Sequence, residues 1–192
     1  MKSIDDLDKI KSVILYILQQ CGGTQDFVSL VKKMYFAQRK HLALYGRPIF
    51  NDMFYARERG PVPSFTYKAL FACYNKSGVS EEINHFNASF GVNVVNGERI
   101  VSAKESPDMD ELAGAEIKTI NTVIDETKGF TAEYLSELSH KDQAWKLARK
   151  RVSDDPTDGR MSLVSIARAG GANKGIIDYL RESLTFDYWC KA

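Results

Sequence analysis

The side chains best suited to acid–base chemistry are His41 and His140, and neither stands in a pattern that builds a catalytic site. His41 lies on an apolar helical stripe, where a hydrogen-bonded core histidine is commoner than a catalyst. His140 falls at a junction between predicted helices, where its ring can bond to free backbone groups. Ser139 does not complete a nucleophile–base pair with it, because neighbouring side chains do not generally converge. An uncharacterised enzyme that uses His41 or His140 is therefore the least favoured of three functional interpretations, and the other two are given below.

Motifs for metals, cofactors and hydrolytic nucleophiles are missing from the sequence. No HExxH, P-loop, GxGxxG or GxSxG pattern occurs. The three cysteines, Cys21, Cys73 and Cys190, are widely spaced and form no CxxC or Cys/His pattern, which argues against structural zinc. Their odd number favours reduced thiols in a cytoplasm. We therefore expect no catalytic residues, no metal and no cofactor.

A second kind of chemistry, recognition of a charged partner, is offered by Tyr55, Arg57 and Arg59. Arginine and tyrosine are favoured at binding hot spots because each combines apolar area with directional donors. The next residues, Gly60-Pro61-Val62-Pro63, predict a rigid turn, which would display this segment with little ordering cost on binding. The alternative is that the arginines lie over aromatic rings and complete the core.

Charge is unevenly distributed along the chain, although the formal net charge is only +1. Residues 32–68 contain eight lysines and arginines against two acids, whereas residues 103–145 contain ten acids against four lysines. One interpretation is a set of helices whose oppositely charged faces partly neutralise each other. The other is a basic patch that receives an acidic partner. The low net charge gives no general attraction to nucleic acid or membrane.

Helical periodicity predicts the elements that position these residues. A first helix ends at Gly22-Gly23 and a second, at about 25–45, is capped by Thr24. The second helix ends where Gly46 adopts a left-handed conformation and Pro48 forbids continuation. The short break makes the two helices antiparallel neighbours. The second helix is too long for an ordinary recognition helix, so DNA binding through a helix-turn-helix is not expected.

A β-hairpin is predicted among the helices that follow. Two short β-capable runs flank Asn96-Gly97, the preferred type I′ pair. This hairpin must pack on the helices or pair with the extended segment 49–57, which would make a small three-stranded antiparallel sheet. A further helix is expected at 63–76, with a proline in its first turn, and another runs from a capping box at 108 and 111 to about 128. Four more helices are expected at 131–138, after 142, at 162–169 and at 173–182. The fold class is therefore α+β and predominantly α-helical, a helical bundle with a small antiparallel hairpin or sheet.

The length of 192 residues predicts one main domain, 1–155, with a C-terminal helical extension, 156–192, packed on the same domain. The tail aromatics Phe186, Tyr188 and Trp189 either staple the tail to the fold or await a partner. No apolar run approaches the ~20 residues of a membrane span, and the first residues lack a signal-peptide apolar run. We therefore expect a cytoplasmic protein without a membrane partner.

Two blocks of sequence carry a resemblance to a known family. The first block comprises Tyr35-Phe36-Ala37-Gln38, His41 to Gly46, Pro48-Ile49-Phe50 and Gly60 to Pro63, and the second comprises Leu138-Ser139-His140 and Ala144-Trp145. Together, over roughly 5–150, they resemble the Panacea domain of SocA-like antitoxins from type II toxin–antitoxin systems, which also occurs in phage-associated proteins. Glu58-Arg59 departs from the family, where many members have an aromatic residue and a lysine, and the doubled valine common elsewhere in the turn is missing.

The resemblance implies that the chain is an antitoxin that binds the toxin encoded by an adjacent gene and neutralises it. Neutralisation would act by occlusion or by delivery to a cellular protease, and a homodimer is left open. The runner-up is a phage- or chromosome-encoded transcriptional regulator that binds DNA. The candidate toxin-binding residues are Tyr55, Arg57 and Arg59. The motif residues with an implied structural role are Tyr35, His41, Tyr45, Gly46, Pro48, Gly60, Pro61, Val62, His140 and Trp145.

Overall fold

The computed structural model describes residues 3–75, 80–152 and 159–191. Within these ranges the chain forms nine α-helices, five β-strands and one 3-10 helix. The helices are α1 (Ile4–Gln20), α2 (Phe27–Tyr45), α3 (Ser64–Asn75), α4 (Glu81–Ala88), α5 (Gly114–Glu126), α6 (Ala132–His140), α7 (Gln143–Arg149), α8 (Leu163–Ala169) and α9 (Lys174–Lys191). The strands are β1 (Thr24–Asp26), β2 (Phe54–Arg57), β3 (Gly60–Pro63), β4 (Phe90–Val95) and β5 (Glu98–Ala103), and the 3-10 helix is Met109–Glu111. The predicted fold class, α+β and predominantly helical, is confirmed.

The two N-terminal helices follow the predicted pattern, with one correction at their junction. Gly22 and Gly23 follow α1 with φ of 86° and 88°, which a residue with a side chain rarely adopts. The predicted cap Thr24 is wrong, because Thr24–Asp26 forms strand β1 before α2 begins. The cap of α2 is instead Asp26, whose carboxylate accepts a hydrogen bond from the Ser29 backbone nitrogen at 2.7 Å. At its other end α2 stops as predicted, at Gly46 in the left-handed conformation.

The larger sheet has the strand order β1-β5-β4, and all its pairs are antiparallel. Its hairpin turn is the predicted one, since Asn96 and Gly97 both have positive φ, 52° and 83°. The expected third strand is wrong, because β5 pairs with β1 through Gln25↔Val101 and not with the segment 49–57. Strand β1 leads directly into α2, so this pairing attaches the hairpin to the helical core, where Val101 is fully buried.

The segment 49–57 pairs instead with its own continuation. Gly60–Pro63, predicted as a turn, is strand β3, and it pairs with β2 through Arg57↔Gly60 and Phe54↔Pro63. The proline-rich composition is compatible with this strand because β3 is an edge strand, which needs few backbone donors. On its other side, β2 is bound by residues 159–161, where Met161 donates its backbone N–H to the Phe54 carbonyl oxygen at 2.9 Å. The turn of this second hairpin is Glu58-Arg59.

The structure also differs from the predicted helices in one additional helix and in several helix ends. Helix α4, capped by Ser80, was not foreseen, and α9 runs on to Lys191. Helix α3 begins at Ser64, after Pro63, so no proline lies in its first turn. The capping box at 108 and 111 starts only the 3-10 helix, and α5 begins at Gly114. The predicted break at 76–78 and most of the predicted loop at 154–159 lie outside the described residues.

Helix α2 lies at the centre of the core, in contact with α1, α5, α6, α8, β3 and the larger sheet. Helix α8 approaches α2 closely at Gly170, where a Cβ atom would lie 2.6 Å from the Arg39 carbonyl oxygen. Helix α9 contacts both α8 and α2 and buries Ile177 and Leu180. The division into a domain of 1–155 and an extension of 156–192 stays a prediction.

Candidate functional site

The segment after α2 is turned back along the helix by motif residues. Gln38 is buried; its amide nitrogen donates to the Phe50 carbonyl oxygen at 3.0 Å, and its amide oxygen accepts from the Ile49 backbone nitrogen at 2.9 Å. Gly46 has φ of 66°, and a Cβ atom there would lie 2.8 Å from Cδ1 of Tyr179 in α9. Pro48 is half-buried within this loop. The loop therefore leaves α2 in a fixed direction and leads into β2.

The base of the β2–β3 hairpin is held by Asp52, a residue that sequence reasoning did not single out. One of its carboxylate oxygens accepts from the Phe65 backbone nitrogen at 3.0 Å. The other accepts from the backbone nitrogen and the hydroxyl of Thr66 at 3.0 and 2.9 Å. In the sequence the hairpin lies between Asp52 and α3. Asp52 therefore caps α3 although it precedes the first residue of that helix by twelve positions. A sequence search for local caps cannot find such a residue.

Three donors from three helices bind the backbone around the hairpin tip, which we define as Arg57, Glu58 and Arg59. The Trp145 indole N–H of α7 donates to the Arg57 carbonyl oxygen at 3.0 Å. The Ser136 hydroxyl of α6 donates to the Arg59 carbonyl oxygen at 2.7 Å. Just beyond the tip, the Lys32 ammonium of α2 donates to the Pro61 carbonyl oxygen at 2.9 Å. The tip backbone is therefore fixed, while its side chains are exposed.

Gly60 is enclosed at the base of the tip. It is buried and has φ of +99°, a conformation that favours glycine. A Cβ atom at this position would lie 2.1 Å from the Ser139 hydroxyl oxygen and 2.8 Å from the Lys32 ammonium nitrogen. The first sequence block thus meets the second at Gly60, and both blocks shape the same hairpin.

The candidate toxin-binding residues lie together on this hairpin. The Arg57 guanidinium lies 5.7 Å from the ring centroid of Tyr55, which is half-buried. The Arg59 side chain is 67% exposed, and its only ion-pair partner among the described residues is Glu133 at 4.0 Å. The alternative that the arginines complete the core does not describe Arg59, and Arg57 lies over its aromatic ring while remaining exposed.

His41 and His140 lie on different helices with different surroundings. His41 is fully buried, with Nδ1 at 3.3 Å from the Thr119 hydroxyl and the ring 4.6 Å from that of Tyr45, and its Nε2 has no hydrogen-bond partner among the described residues. The His140 ring stacks on Trp145 at 4.3 Å and 26°, and its buried Nε2 likewise finds no partner in the described parts of the chain. The Ser139 hydroxyl donates to the Ser136 carbonyl oxygen at 2.7 Å. His140 therefore supports the indole that holds the tip.

Tyr35, the remaining aromatic motif residue, is fully buried against the base of the hairpin. Its ring lies 5.4 Å from that of Phe54 in an edge-to-face arrangement. Burial raises the pKa of Tyr35 well above its ordinary value, and the nearby Asp142 carboxylate adds to this. Tyr35 is therefore a neutral phenol that joins α2 to β2.

Lys32 is another residue of the site that sequence reasoning missed. It is almost fully buried, and burial, reinforced by the nearby positive charge of Arg59, lowers the pKa of Lys32 to about 7. No carboxylate of the described residues lies within ion-pair distance of its ammonium group. The signal was present, because Lys32 follows Val28 by four residues and precedes Tyr35 by three, so all three share one helix face.

A groove opens beside the tip, which we call the tip groove. It has a volume of about 590 Å³. Its lining contains five cationic side chains and one carboxylate, together with aromatic and aliphatic residues: Lys32, Arg57, Arg59, Arg99 and Arg149; Glu58; Phe27, Val28, Val31, Val62 and Tyr67. Arg99 comes from β5 and Arg149 from α7, and neither was singled out from the sequence. The groove is therefore a basic site whose lining comes from five parts of the chain: α2, the β2–β3 hairpin, α3, β5 and α7.

The two oppositely charged windows of the sequence do meet, and they neutralise each other in part. Arg39 forms an ion pair with the buried Asp142 at 2.8 Å, and Lys40 pairs with Glu126. Lys32, Arg57 and Arg99 form no such pair in the described parts of the chain. The interpretation in which oppositely charged helices partly neutralise each other therefore holds for these contacts of α2. The interpretation of a basic patch that receives an acidic partner stays a prediction.

Neither a metal cluster nor a membrane span is found in the described ranges. No group of three or more His, Cys, Asp or Glu side chains there could hold a metal ion. None of the helices described combines the length and the apolar composition that crossing a bilayer requires. Phe186 is 70% exposed on α9, whereas the side chains of Tyr188 and Trp189 lie outside the described ones.

Both histidine-to-alanine variants are expected to lower the free energy of unfolding by about 1–3 kcal/mol, because each removes a polar ring that is part of the packed interior. Burial lowers the pKa of His41 to about 4. The unfolded His41 binds a proton below about pH 6.5, so the wild type should lose stability as the pH falls from 6.5 to 4. His41→Ala should lack this part of the acid sensitivity in denaturant titrations at pH 7 and pH 4.5.

If both histidines are structural, toxin neutralisation, the activity that the family resemblance implies, should fall in His41→Ala and His140→Ala only as far as the folded fraction falls. A variant that stays fully folded but loses all activity would make the histidine a functional residue. His85, which is exposed at the end of α4, serves as the control position, because His85→Ala removes an imidazole from the surface.

Comparison with known protein families is consistent with the two sequence blocks. A family model described as antitoxin SocA-like, Panacea domain, matches residues 30–146, which is more than half of the 192-residue chain. The matched region runs from α2 into α7, and it contains the hairpin tip, Gly60 and the three residues that bind the tip backbone. No curated protein and no solved structure matches the chain.

Proposed function

The chain belongs to the family of SocA-like antitoxins that carry a Panacea domain, and from this membership we propose that it neutralises a toxin encoded by an adjacent gene through direct protein–protein binding. The observation that carries the proposal is the hairpin tip, whose backbone is bound by Trp145 and Ser136 while Arg57 and Arg59 are exposed. Occlusion of the toxin, or its delivery to a cellular protease, follows from such binding.

The fixed backbone of the tip favours it as a contact surface. Ordering a loop on binding costs conformational free energy, and a segment that is already held avoids most of that cost. The tip is held on one side by α6 and α7 and beyond Gly60 by Lys32 of α2. Its arginines can therefore engage a partner without reorganisation of the backbone.

The charge of the tip indicates the kind of toxin surface that it would contact. Arg57 and Arg59 flank Glu58, and the groove beside them is strongly basic. A basic, ordered edge suits an acidic surface on the toxin, and its charge would speed encounter more than it deepens affinity. Tyr55 adds apolar ring area beside Arg57.

Co-expression tests the proposal as a whole. The product of the adjacent gene should stop growth when it is expressed alone and should be harmless when this protein is expressed with it. The two proteins should also co-purify. Absence of both rescue and complex with every neighbouring gene product would reject neutralisation by binding.

Charge reversal at the tip tests the surface. Arg57→Glu or Arg59→Glu should weaken toxin binding by at least ~2 kcal/mol, the scale of a hot-spot residue. The melting temperature should stay near that of the wild type, because both side chains are exposed. Calorimetric binding and thermal unfolding of the same preparations provide the two measurements.

Two further variants make the comparison decisive. Arg168→Glu reverses a charge on an exposed position of α8, outside the tip groove, and it should bind toxin like the wild type. Deletion of residues 186–192 removes the rival surface at the aromatic tail. Loss of binding only in the deletion, with both tip reversals silent, would place the interface at the C-terminus.

A further inference from the structure

The positive charge of the tip groove is only weakly compensated by the carboxylates in and near it. Glu58, the only carboxylate among the described residues that line the groove, is 3.8 Å from Arg149, and its side chain is 89% exposed. Glu133, the partner of Arg59, is also largely exposed. Ion pairs between exposed side chains contribute little and are screened by salt. The four arginines, and Lys32 when it is protonated, therefore repel one another with little relief from the described acids, so an anion from outside would be favoured.

Arg99 packs against aromatic rings through the face of its guanidinium group. Its guanidinium lies 4.8 Å from the ring centroid of Phe71 and 5.4 Å from that of Tyr74. A cation–π contact uses the face of the guanidinium, whereas the N–H groups point outward in its plane. No hydrogen bond of the Arg99 guanidinium occurs within the described chain, so its donors can serve an external acceptor.

A neighbouring cavity shows which space an anion would prefer. This cavity, of about 340 Å³, shares Arg59 and Arg99 with the tip groove. Asp26 and Glu98 also line it, so its two arginines face two carboxylates. The tip groove has five cations against one carboxylate. An anion is therefore drawn to the tip groove and not to the neighbouring cavity.

The tip groove also offers an apolar wall. Phe27 and Tyr67 pack edge to face with ring centroids 5.6 Å apart, and both line the groove. Tyr67 is partly exposed, so its ring can be contacted from the groove. The volume of about 590 Å³ lies in the range of roughly 300–1,000 Å³ that is usual for small-molecule sites.

We propose that the tip groove binds a nucleoside phosphate, with the phosphate groups beside Lys32, Arg99 and Arg149 and the base along the wall of Phe27 and Tyr67. Arginine forks match phosphate oxygens through paired hydrogen bonds, and a phosphate carries enough charge to offset several cations. An aromatic face stacks on any base. The sequence contains no P-loop, so such a site arises only from the folded arrangement.

Calorimetry of the full chain without toxin tests this site. At 0.15 M NaCl and without divalent metal, ATP should bind at least about tenfold more tightly than inorganic triphosphate, which has the same number of phosphate groups but cannot contact the aromatic wall. Adenosine should bind too weakly to measure. Arg149→Ala and Lys32→Met should each weaken ATP binding about tenfold or more, since each removes a phosphate contact. Arg168→Ala, the matched control on α8, should bind like the wild type.

Several outcomes would overturn the proposal. Equal loss of ATP binding in Arg168→Ala would show nonspecific attraction, and equal affinity for inorganic triphosphate and ATP would reject the aromatic contact. Binding of an oligoglutamate peptide but not of ATP would assign the groove to an acidic polypeptide instead. These measurements use the isolated protein, so their failure leaves toxin neutralisation standing, and failed rescue of a toxin leaves the nucleotide site standing.

Discussion

Gly60→Ala is expected to lower the free energy of unfolding by about 3 kcal/mol, because it adds a strained backbone conformation to an overpacked interior. Gly60 has φ of +99°, and the added methyl carbon would lie 2.1 Å from the Ser139 hydroxyl oxygen and 2.8 Å from the Lys32 ammonium nitrogen. Folded proteins are commonly stable by only about 5–15 kcal/mol, so this loss is large. Denaturant unfolding monitored by circular dichroism measures it.

The strained backbone and the overlap can be separated by a second glycine. Gly171 has a similar φ of +89°, but no atom of the described residues lies within 4 Å of an added Cβ atom. Gly171→Ala should therefore cost only the backbone part, about 1 kcal/mol. The excess at Gly60 measures the overlap with Ser139 and Lys32.

A double-mutant cycle identifies the neighbour responsible. Ser139→Ala removes the hydroxyl oxygen nearest the added methyl group, so the double variant should be more stable than the sum of the single effects predicts. Equal costs for the two glycine variants, with no coupling to Ser139, would show that the close packing at Gly60 contributes nothing. Gly60→Ala should also displace the hairpin tip, so it should weaken toxin binding by more than its loss of folded protein explains.

The features that were predictable from the sequence are those determined by neighbouring residues. The turn at Asn96-Gly97 and the cap at Gly46 each depend on a local backbone conformation that few residues adopt. The strand at Gly60–Pro63 was misread because its prolines are compatible both with a rigid turn and with an edge strand. The pairing of β1 with β5 joins residues far apart in sequence, and no local pattern reports it.

The residues of the candidate site also fall into two groups: those that neighbouring sequence indicated and those that only the tertiary fold brings together. Arg57 and Arg59 were found because they lie close together in the sequence, just before the Gly-Pro segment. Arg99 and Arg149 reach the same groove from β5 and α7, and only the tertiary fold brings them there. Trp145 belonged to a recognised sequence block, but its hydrogen bond to the Arg57 carbonyl oxygen is a tertiary contact. Sequence reasoning therefore located the tip but not the groove.

The positions of the two sequence blocks have a common physical explanation. Gly60 needs the space left by Ser139, and the tip carbonyls need the donors of Ser136 and Trp145. These interactions hold the backbone of the tip and leave its side chains to vary. Glu58-Arg59, where the sequence departs from the usual family pattern, is the segment whose side chains are free to change without altering the support.

Lys32→Met is expected to stabilise the protein at pH 6, by about 3 kcal/mol, although it removes a hydrogen bond to the Pro61 carbonyl oxygen. Burial lowers the pKa of Lys32 to about 7 from its ordinary 10.5, so holding the charged form inside the fold costs stability at low pH. Methionine fills a similar volume without a charge. Buried charged groups that lower stability and lack an ion-pair partner are often retained for function.

The pH dependence gives the sign of the effect. Between about pH 7 and 10.5 the unfolded lysine keeps its proton while the folded lysine loses it, so the wild type gains stability as the pH rises. Lys32→Met lacks this gain. Its advantage over the wild type should therefore shrink by about 3 kcal/mol between pH 6 and pH 9, at 1.36 kcal/mol for each pH unit across the window.

Denaturant titrations of both proteins at the two pH values measure this change, with Lys118→Met as the control because Lys118 is exposed. The control should show no pH-dependent difference from the wild type. If Lys32→Met is less stable than the wild type by the same amount at both pH values, the buried ammonium is stabilised by its surroundings. In that case it is a structural donor to Pro61 and not a charge held in the groove for an anion.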